Sequence, residues 1–191
     1  MKSSVGNLPT KRPASVGALF SLLVIMLMGS SSAWATDDTM SDSANVSSEC
    51  EFNEQEQAML SRINEARGQP RQCGDQDFAA AEPLAWSCKL EAAAQLHSQD
   101  MAENDYFSHT NPNGKEIQHR VNNQDYSWQA VGENIAAGHT SVSAVVNGWL
   151  ESPGHCQNIM SATFTEMGMA KANESDSRYK TYWTQTLGNP R

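Results

Sequence analysis

The sequence is short of positive charge, of long apolar runs and of the motifs that mark common hydrolases and nucleotide enzymes. Of 191 residues, 13 are Lys or Arg and 22 are Asp or Glu, for a net charge of −9. A general nucleic-acid binder needs clustered cations to neutralise phosphates, so this balance argues against that class. With 7 prolines and 12 glycines the chain has too few of either to be fibrous. Beyond residue 35 no segment is apolar enough to span a bilayer. HExxH, GxGxxG and Walker sequences are missing, as is the GxSxG of a serine-hydrolase elbow. No CxxC pair exists, which weighs against a zinc cluster. The remaining composition, 39% hydrophobic and 7% aromatic, suits one globular domain of ordinary size with a tail.

Residues 1–35 have the pattern of an export signal. Lys2, Lys11 and Arg12 precede the apolar stretch Ala18 to Met28, and Ala33-Trp34-Ala35 supplies small residues for cleavage before Thr36. The apolar stretch is too short to cross about 30 Å of hydrocarbon comfortably. Cleavage there would leave ten basic residues against 22 acidic, a net charge of −12, in an oxidising space. Residues 36–51 are poor in large apolar side chains and read as a flexible lead-in. The domain is expected over 52–191. An even number of cysteines in an exported chain favours two disulfides, and Cys50, Cys73, Cys88 and Cys156 allow three pairings.

Asn53 and Glu56 have capping-box spacing, and Met59, Leu60, Ile63 and Ala66 then form one helical face that ends at Gly68 and Pro70. Residues 72–83 are expected to be a loop. A second helix over 87–103 carries the stripe Leu90, Ala94, His97 and Met101. Residues 106–114 are turn-like, and 115–122 suggest a short helix with Ile117 and Val121 inward. Ser141 caps a helix with the face Val142, Val145, Val146, Trp149 and Leu150, which Pro153-Gly154 interrupts before a short extra turn over 155–160. Residues 164–170 and 179–187 pattern as an antiparallel hairpin, and 131–136 as a third strand. The fold class expected is α+β, a small antiparallel sheet covered by helices.

His97, on an apolar stripe, is expected to be a core histidine satisfied by a hydrogen bond. His109, after Tyr-Phe-Ser and before Asn-Pro-Asn-Gly, could face a cleft, and His155 follows the sharp bend Ser-Pro-Gly. His119 and His139 lie in polar surroundings and are expected to be solvated. Glu133 is flanked by small and apolar neighbours, so its carboxylate must be paired or shifted in pKa. Arg120 would make it structural, whereas a histidine partner would make it part of a site. Cys156 beside His155 could suggest a thiol nucleophile, but the even cysteine count favours a disulfide.

Several ordered motifs then resemble one known family. They are His97-Ser98-Gln99-Asp100-Met101-Ala102; Tyr106-Phe107-Ser108-His109 with Pro112 and Gly114; Gly132-Glu133-Asn134-Ile135-Ala136; and Gly148-Trp149-Leu150-Glu151-Ser152-Pro153-Gly154-His155. Asn158-Ile159-Met160, Phe164-Thr165-Glu166-Met167-Gly168 and Tyr182-Trp183-Thr184-Gln185 complete the set. From about Glu56 to Gly188 the chain resembles the CAP superfamily, also called SCP-like or pathogenesis-related-1-like, in its bacterial form.

The resemblance implies an α-β-α sandwich and a central cleft of two histidines and two acids, which in some members holds zinc or another divalent cation. His109 matches the first histidine and Glu133 the first acid. Ser152 stands at the second acid's place by strict spacing, with Glu151 one residue away. No histidine precedes Tyr182-Trp183-Thr184-Gln185, where the second eukaryotic histidine is expected, and the bacterial form carries His155 instead. The resemblance favours disulfides Cys73–Cys156 and Cys50–Cys88, with Cys73–Cys88 as the rival.

Three functions follow from it. The leading one is a secreted, monomeric binding protein that takes a small apolar, lipid-like or envelope-derived ligand, with a divalent metal held by His109 and His155. The second is a metal-dependent hydrolase with Glu133 as general base. The third is an interaction module with a vestigial cleft.

Overall fold

The computed structural model describes residue 50 and residues 53–191. The export-signal reading lies outside the described residues, as does the lead-in except at Cys50. Asn53 begins the first helix, α1 (Glu54–Arg67): its side chain accepts from the backbone of Gln55 and Glu56 while Glu56 reaches back to the Asn53 N–H, closing the capping box. The expected loop contains two short strands, β1 (Arg71–Cys73) and β2 (Gln76–Phe78), paired antiparallel around Gly74 at φ 63°. Next come β3 (Ala85–Trp86), α2 (Cys88–Glu103), α3 (Ile117–Asn122) and β4 (Trp128–Ala137). The chain closes with α4 (Val142–Glu151), α5 (Pro153–Met160), β5 (Glu166–Asn173) and β6 (Thr181–Pro190).

Four strands form the main sheet in the order β3-β5-β6-β4. The pairs β5–β6 and β4–β6 are antiparallel, whereas the two-residue β3 runs parallel to β5. The sheet is therefore mixed at one edge, and β4 forms the other edge.

Side chains alternate across a strand, so neighbouring residues serve opposite layers. Trp183 and Ala136 pack with Met59, Ile63, Trp149 and Ile159 of α1, α4 and α5, while their neighbours Tyr182 and Ile135 pack with Met101 and Ala102 of α2. Helices thus cover both faces, as the α-β-α expectation requires. Gly168 of β5 lets α2 come close, because a Cβ there would stand 2.0 Å from the Glu91 nitrogen.

Both disulfides follow the pairing that the resemblance favours: Cys50–Cys88 and Cys73–Cys156, with Cα atoms 5.6 and 5.5 Å apart. The second ties the β1–β2 hairpin to α5, beside His155. No helix among the described residues is long and apolar enough to cross a membrane.

Candidate functional site

The centre of the site is the Glu133 carboxylate. The β4 alternation turns Glu133 toward α2 and α3 and turns Asn134 toward α5. The carboxylate is nearly enclosed, and three groups converge on it. Arg120 of α3 donates from an Nη atom to Glu133 Oε2 at 2.7 Å, and His109 donates from Nδ1 to Oε1 at 2.8 Å. His97 of α2 brings Nε2 to 3.6 Å from the same Oε1, too far for a good hydrogen bond. The two sequence readings of Glu133, ion pair with arginine and neighbour of histidine, both describe this one carboxylate.

Burial alone would raise the Glu133 pKa. The His109 hydrogen bond, the nearby His97 and the Arg120 cation outweigh it and hold the group below its ordinary value. Both oxygens are taken by positive or donating groups, which suits Glu133 to orienting an imidazole better than to drawing a proton from water. His109 itself is about half exposed, with a side-chain accessibility of 55%. With Nδ1–H committed to the carboxylate, its Nε2 lone pair is left for a ligand.

The loop that carries His109 is tied down from below. Asp100 accepts from the Tyr106 hydroxyl at 2.8 Å and from the Asn111 side chain at 3.1 Å. Arg120 also donates to the His109 carbonyl at 3.1 Å, so one guanidinium holds both the backbone of His109 and the carboxylate that orients its ring.

His97 corrects one expectation. It is fully buried, as its place on the stripe required, but neither ring nitrogen makes a well-formed hydrogen bond. Burial dominates and depresses its pKa to about 4, because the Glu133 charge and the Ser108 backbone favour the protonated ring only weakly. The ring is neutral at ordinary pH.

On the other face of β4, Asn134 is fully buried and donates to the His155 carbonyl at 3.2 Å and to the Gln185 side chain at 2.9 Å. Asn158 completes the network by donating to Asn134 Oδ1 at 2.9 Å and to the Glu133 carbonyl at 3.2 Å. Asn134 and Asn158 therefore seat His155, a role that reading the chain residue by residue did not assign to them. His155 Nδ1 is buried without a hydrogen-bond partner among the described residues. Burial lowers the His155 pKa, and charge on His109 lowers it further, so the two rings sense each other.

Along the free edge of β4 runs an open groove of about 270 Å³. Ile135, Ala136 and Ala137 form its floor; Trp149, Ser152 and His155 make one wall, and Phe107 and Tyr179 the other. Phe107 and Tyr179 are exposed at 43% and 38%, with ring centroids 5.7 Å apart in an edge-to-face arrangement. His139 also lines the groove, contrary to the solvated position expected for it. It is half-buried, and its ring rests over Gly148, where a Cβ would meet it at 3.4 Å. That placement depends on a glycine in a different element, which local polarity around His139 does not reveal.

Of the expected residues, the structure joins His109 to Glu133 and puts His155 and Ser152 in the groove. Glu151 is exposed and does not line it, and His119 is exposed as expected. Among the described residues no cluster of three or more His, Cys, Asp or Glu side chains is arranged to hold a metal ion. The expected metal donors are the two imidazoles His109 and His155, of which His155 lines the groove and His109 does not.

The pattern of the CAP family, the cysteine-rich secretory protein family, matches residues 60–187. The chain belongs to that family. Relatives include the Bacillus subtilis (strain 168) proteins YkwD, described as uncharacterized, and YlbC, described as an uncharacterized membrane protein. YkwD is 35% identical over 104 residues, which is 54% of this chain and 38% of YkwD. YlbC is 35% identical over 86 residues, 45% of this chain and 25% of YlbC. The matched part of this CAP chain thus spans well under half the length of either relative.

An extracellular protein of Bacillus anthracis str. Ames that contains an SCP domain superposes with a TM-score of 0.59 at 30% identity, over 71% of this chain and 40% of that one. An outer surface protein of Borrelia burgdorferi superposes with a TM-score of 0.60 at 22% identity, over 71% of this chain and 92% of that one. The second likeness speaks to fold alone.

Proposed function

We propose that this CAP protein acts outside the cytoplasm as a binding protein, and that its cleft is the ground flanked by His109, Glu133 and His155. The ligand is a small apolar, lipid-like or envelope-derived molecule, with a divalent cation such as zinc held weakly by the two imidazoles. One observation carries the reading: a buried carboxylate holds His109 at Nδ1, 2.8 Å away, and the ring's other nitrogen belongs to a side chain that is half exposed. A carboxylate behind an imidazole is the usual outer support of a metal-binding histidine, because it sets the tautomer and raises the basicity of the ligating nitrogen. His155 adds a second ring kept neutral by burial. The extracellular relative and the two disulfides support the location.

When bound, the cation would supply positive charge and an open coordination site. The protein's part is to orient His109, to seat His155 through Asn134, and to offer the apolar floor beside them. The hydrolase alternative is the weaker reading, since Glu133 has neither oxygen free to serve as its base.

Calorimetric titration with zinc chloride tests the proposal. The parent protein is expected to bind weakly, and His109→Ala and His155→Ala each to lose at least tenfold in affinity, while His119→Ala binds as the parent does. Equal binding by the two cleft variants would remove the site.

A further inference from the structure

We propose that the groove along β4 takes an extended, acid-bearing peptide segment, which pairs its backbone with the free edge of the strand at Ile135 and Ala137. This rests on reading the cleft as a ligand site, but not on any metal in it.

Register decides which backbone groups face outward. The Gly138 N–H donates to the Thr181 carbonyl at 2.9 Å, so the even-numbered residues of β4 point their peptide groups at β6. In an antiparallel ladder the residues between them point the other way. Residues 133, 135 and 137 therefore aim N–H and C=O at the outer edge. Two of those carbonyls are already capped: Asn158 donates to Glu133 O at 3.2 Å and the Trp149 indole to Ile135 O at 3.1 Å. Among the described residues no such bond is formed by the Ile135 N–H or by the Ala137 N–H and C=O.

An unpaired sheet edge is a template for another strand, and natural proteins usually cover it. Here the cover stops where the groove begins. The free groups are a donor at 135 and a donor–acceptor pair at 137, two residues apart, which is the spacing of one edge of an incoming strand.

The walls agree with that occupant. They stand on opposite sides of the sheet edge, Phe107 and Tyr179 on one side and His155 on the other, so they flank a strand laid beside β4 and can take its alternating side chains. The groove's 270 Å³ falls below the roughly 300–1,000 Å³ of pockets that engulf a drug-sized ligand, and it is open along its length. Those dimensions favour a short stretch of chain over an enclosed acyl tail. Charge is complementary as well. Among the described residues no carboxylate lines the groove, on a chain of net charge −9. His139 and His155 line it as neutral donors or acceptors, and the cation beside it is Arg178, whose guanidinium lies 5.9 Å from the Tyr179 ring centre and whose backbone N–H donates to Asp105 at 2.7 Å. An acidic side chain or a C-terminal carboxylate suits that end.

The purified protein, without added metal, is panned against phage-displayed random heptapeptides. A selected peptide is then resynthesised with a fluorescent label, together with copies N-methylated at alternate amides. Apolar residues at every second position and at least one acid are expected. N-methylation in one register should weaken binding at least tenfold, and in the other register change it less than threefold. Ala137→Pro removes the outward donor without removing a bond to β6, and is expected to weaken binding at least tenfold with an unchanged circular-dichroism spectrum. Should that variant fail to fold, Phe107→Ser with Tyr179→Ser carries the same expectation.

The proposal is overturned if no heptapeptide is selected above background, if both N-methylated copies bind equally, or if the folded variants bind as the parent does. Binding of an N-acetylglucosamine oligomer or a fatty acid at the groove with no peptide selected would also overturn it. Zinc titration of the same samples separates the two claims: cation binding without peptide binding sinks only the peptide, and loss of both sinks the cleft.

Discussion

Two buried charged groups, Arg67 and Glu133, are treated in opposite ways by this fold. Arg67 of α1 is 1% exposed and spends its guanidinium on backbone carbonyls: Glu82 at 2.8 Å, Ile159 at 2.6 Å, Ser161 at 2.9 Å and Phe164 at 3.2 Å. The last three lie where the chain leaves α5 and turns toward β5. Glu133 is buried too, at 7% exposure, yet one of its neighbours, His97, is left without a proper hydrogen bond, and another, His109, stands half in solvent. A buried charge that is fully satisfied far from any opening is a brace. Glu133 instead links an unsatisfied core histidine to an exposed one, the arrangement on which the proposed site rests.

The contrast can be broken from either side. Replacing Arg67 with Met should have the largest effect on stability, about 3–5 kcal/mol in urea unfolding, because several buried carbonyls lose their donor. Zinc affinity of the folded protein should not change. A loss below about 1 kcal/mol would show that the brace is dispensable. Replacing Glu133 with Gln keeps the shape but leaves Arg120 buried without its counter-charge, at a cost on the order of 2–3 kcal/mol. In that variant zinc binding at His109 should weaken at least tenfold, the reverse of the Arg67 pattern.

The third prediction concerns acid. His97 has a folded pKa of about 4, below the ordinary value of 6.5, so the unfolded chain binds more protons between those values. Its contribution is intact above pH 6.5 and is lost as pH falls toward 4, on the order of 3 kcal/mol in total. The depressed Glu133 pKa acts in the same direction, its stabilisation being present above the unfolded carboxylate value and lost as pH falls through the folded one. Unfolding midpoints at pH 7.5 and pH 5 should differ clearly in the parent and less in His97→Gln. An equal drop in both would show that His97 does not carry the acid sensitivity. The smallest effect is expected for Asn158→Ala, which loosens His155 without touching the Glu133 carboxylate. A two- to fivefold loss in zinc affinity is expected, and an unchanged affinity would show that Asn158 does not seat the ring.

How much of this was legible beforehand depended on range. The helix faces around Met59, Leu90 and Val145 follow from periodicity and caps, and the strand expected at 131–136 lies within β4. The elements missed were short ones. β3 has two residues and exists because β5 offers it a parallel partner, and β1 and β2 have three residues each around Gly74. Glu133 could be singled out because a carboxylate among small apolar residues must be explained, and Arg120 was its natural partner. The His109 and His155 assignments came from family motifs rather than periodicity. Asn134 was invisible as a positioning residue because its partners, His155, Asn158 and Gln185, converge only once β4 and β6 are in register. His139 was misjudged for a similar reason, since the gap it fills is made by Gly148 on another element.

The central claim is that Glu133 locks the His109 ring with Nδ1 protonated and Nε2 bare. Long-range proton–nitrogen correlation spectra of histidine-labelled protein at pH 7.5 test it directly. A single Nδ1–H tautomer is predicted for His109 in the parent, and tautomer averaging when Glu133 is replaced by Ala in protein that remains folded. A His109 ring protonated at Nε2, or averaging freely in the parent, would contradict it.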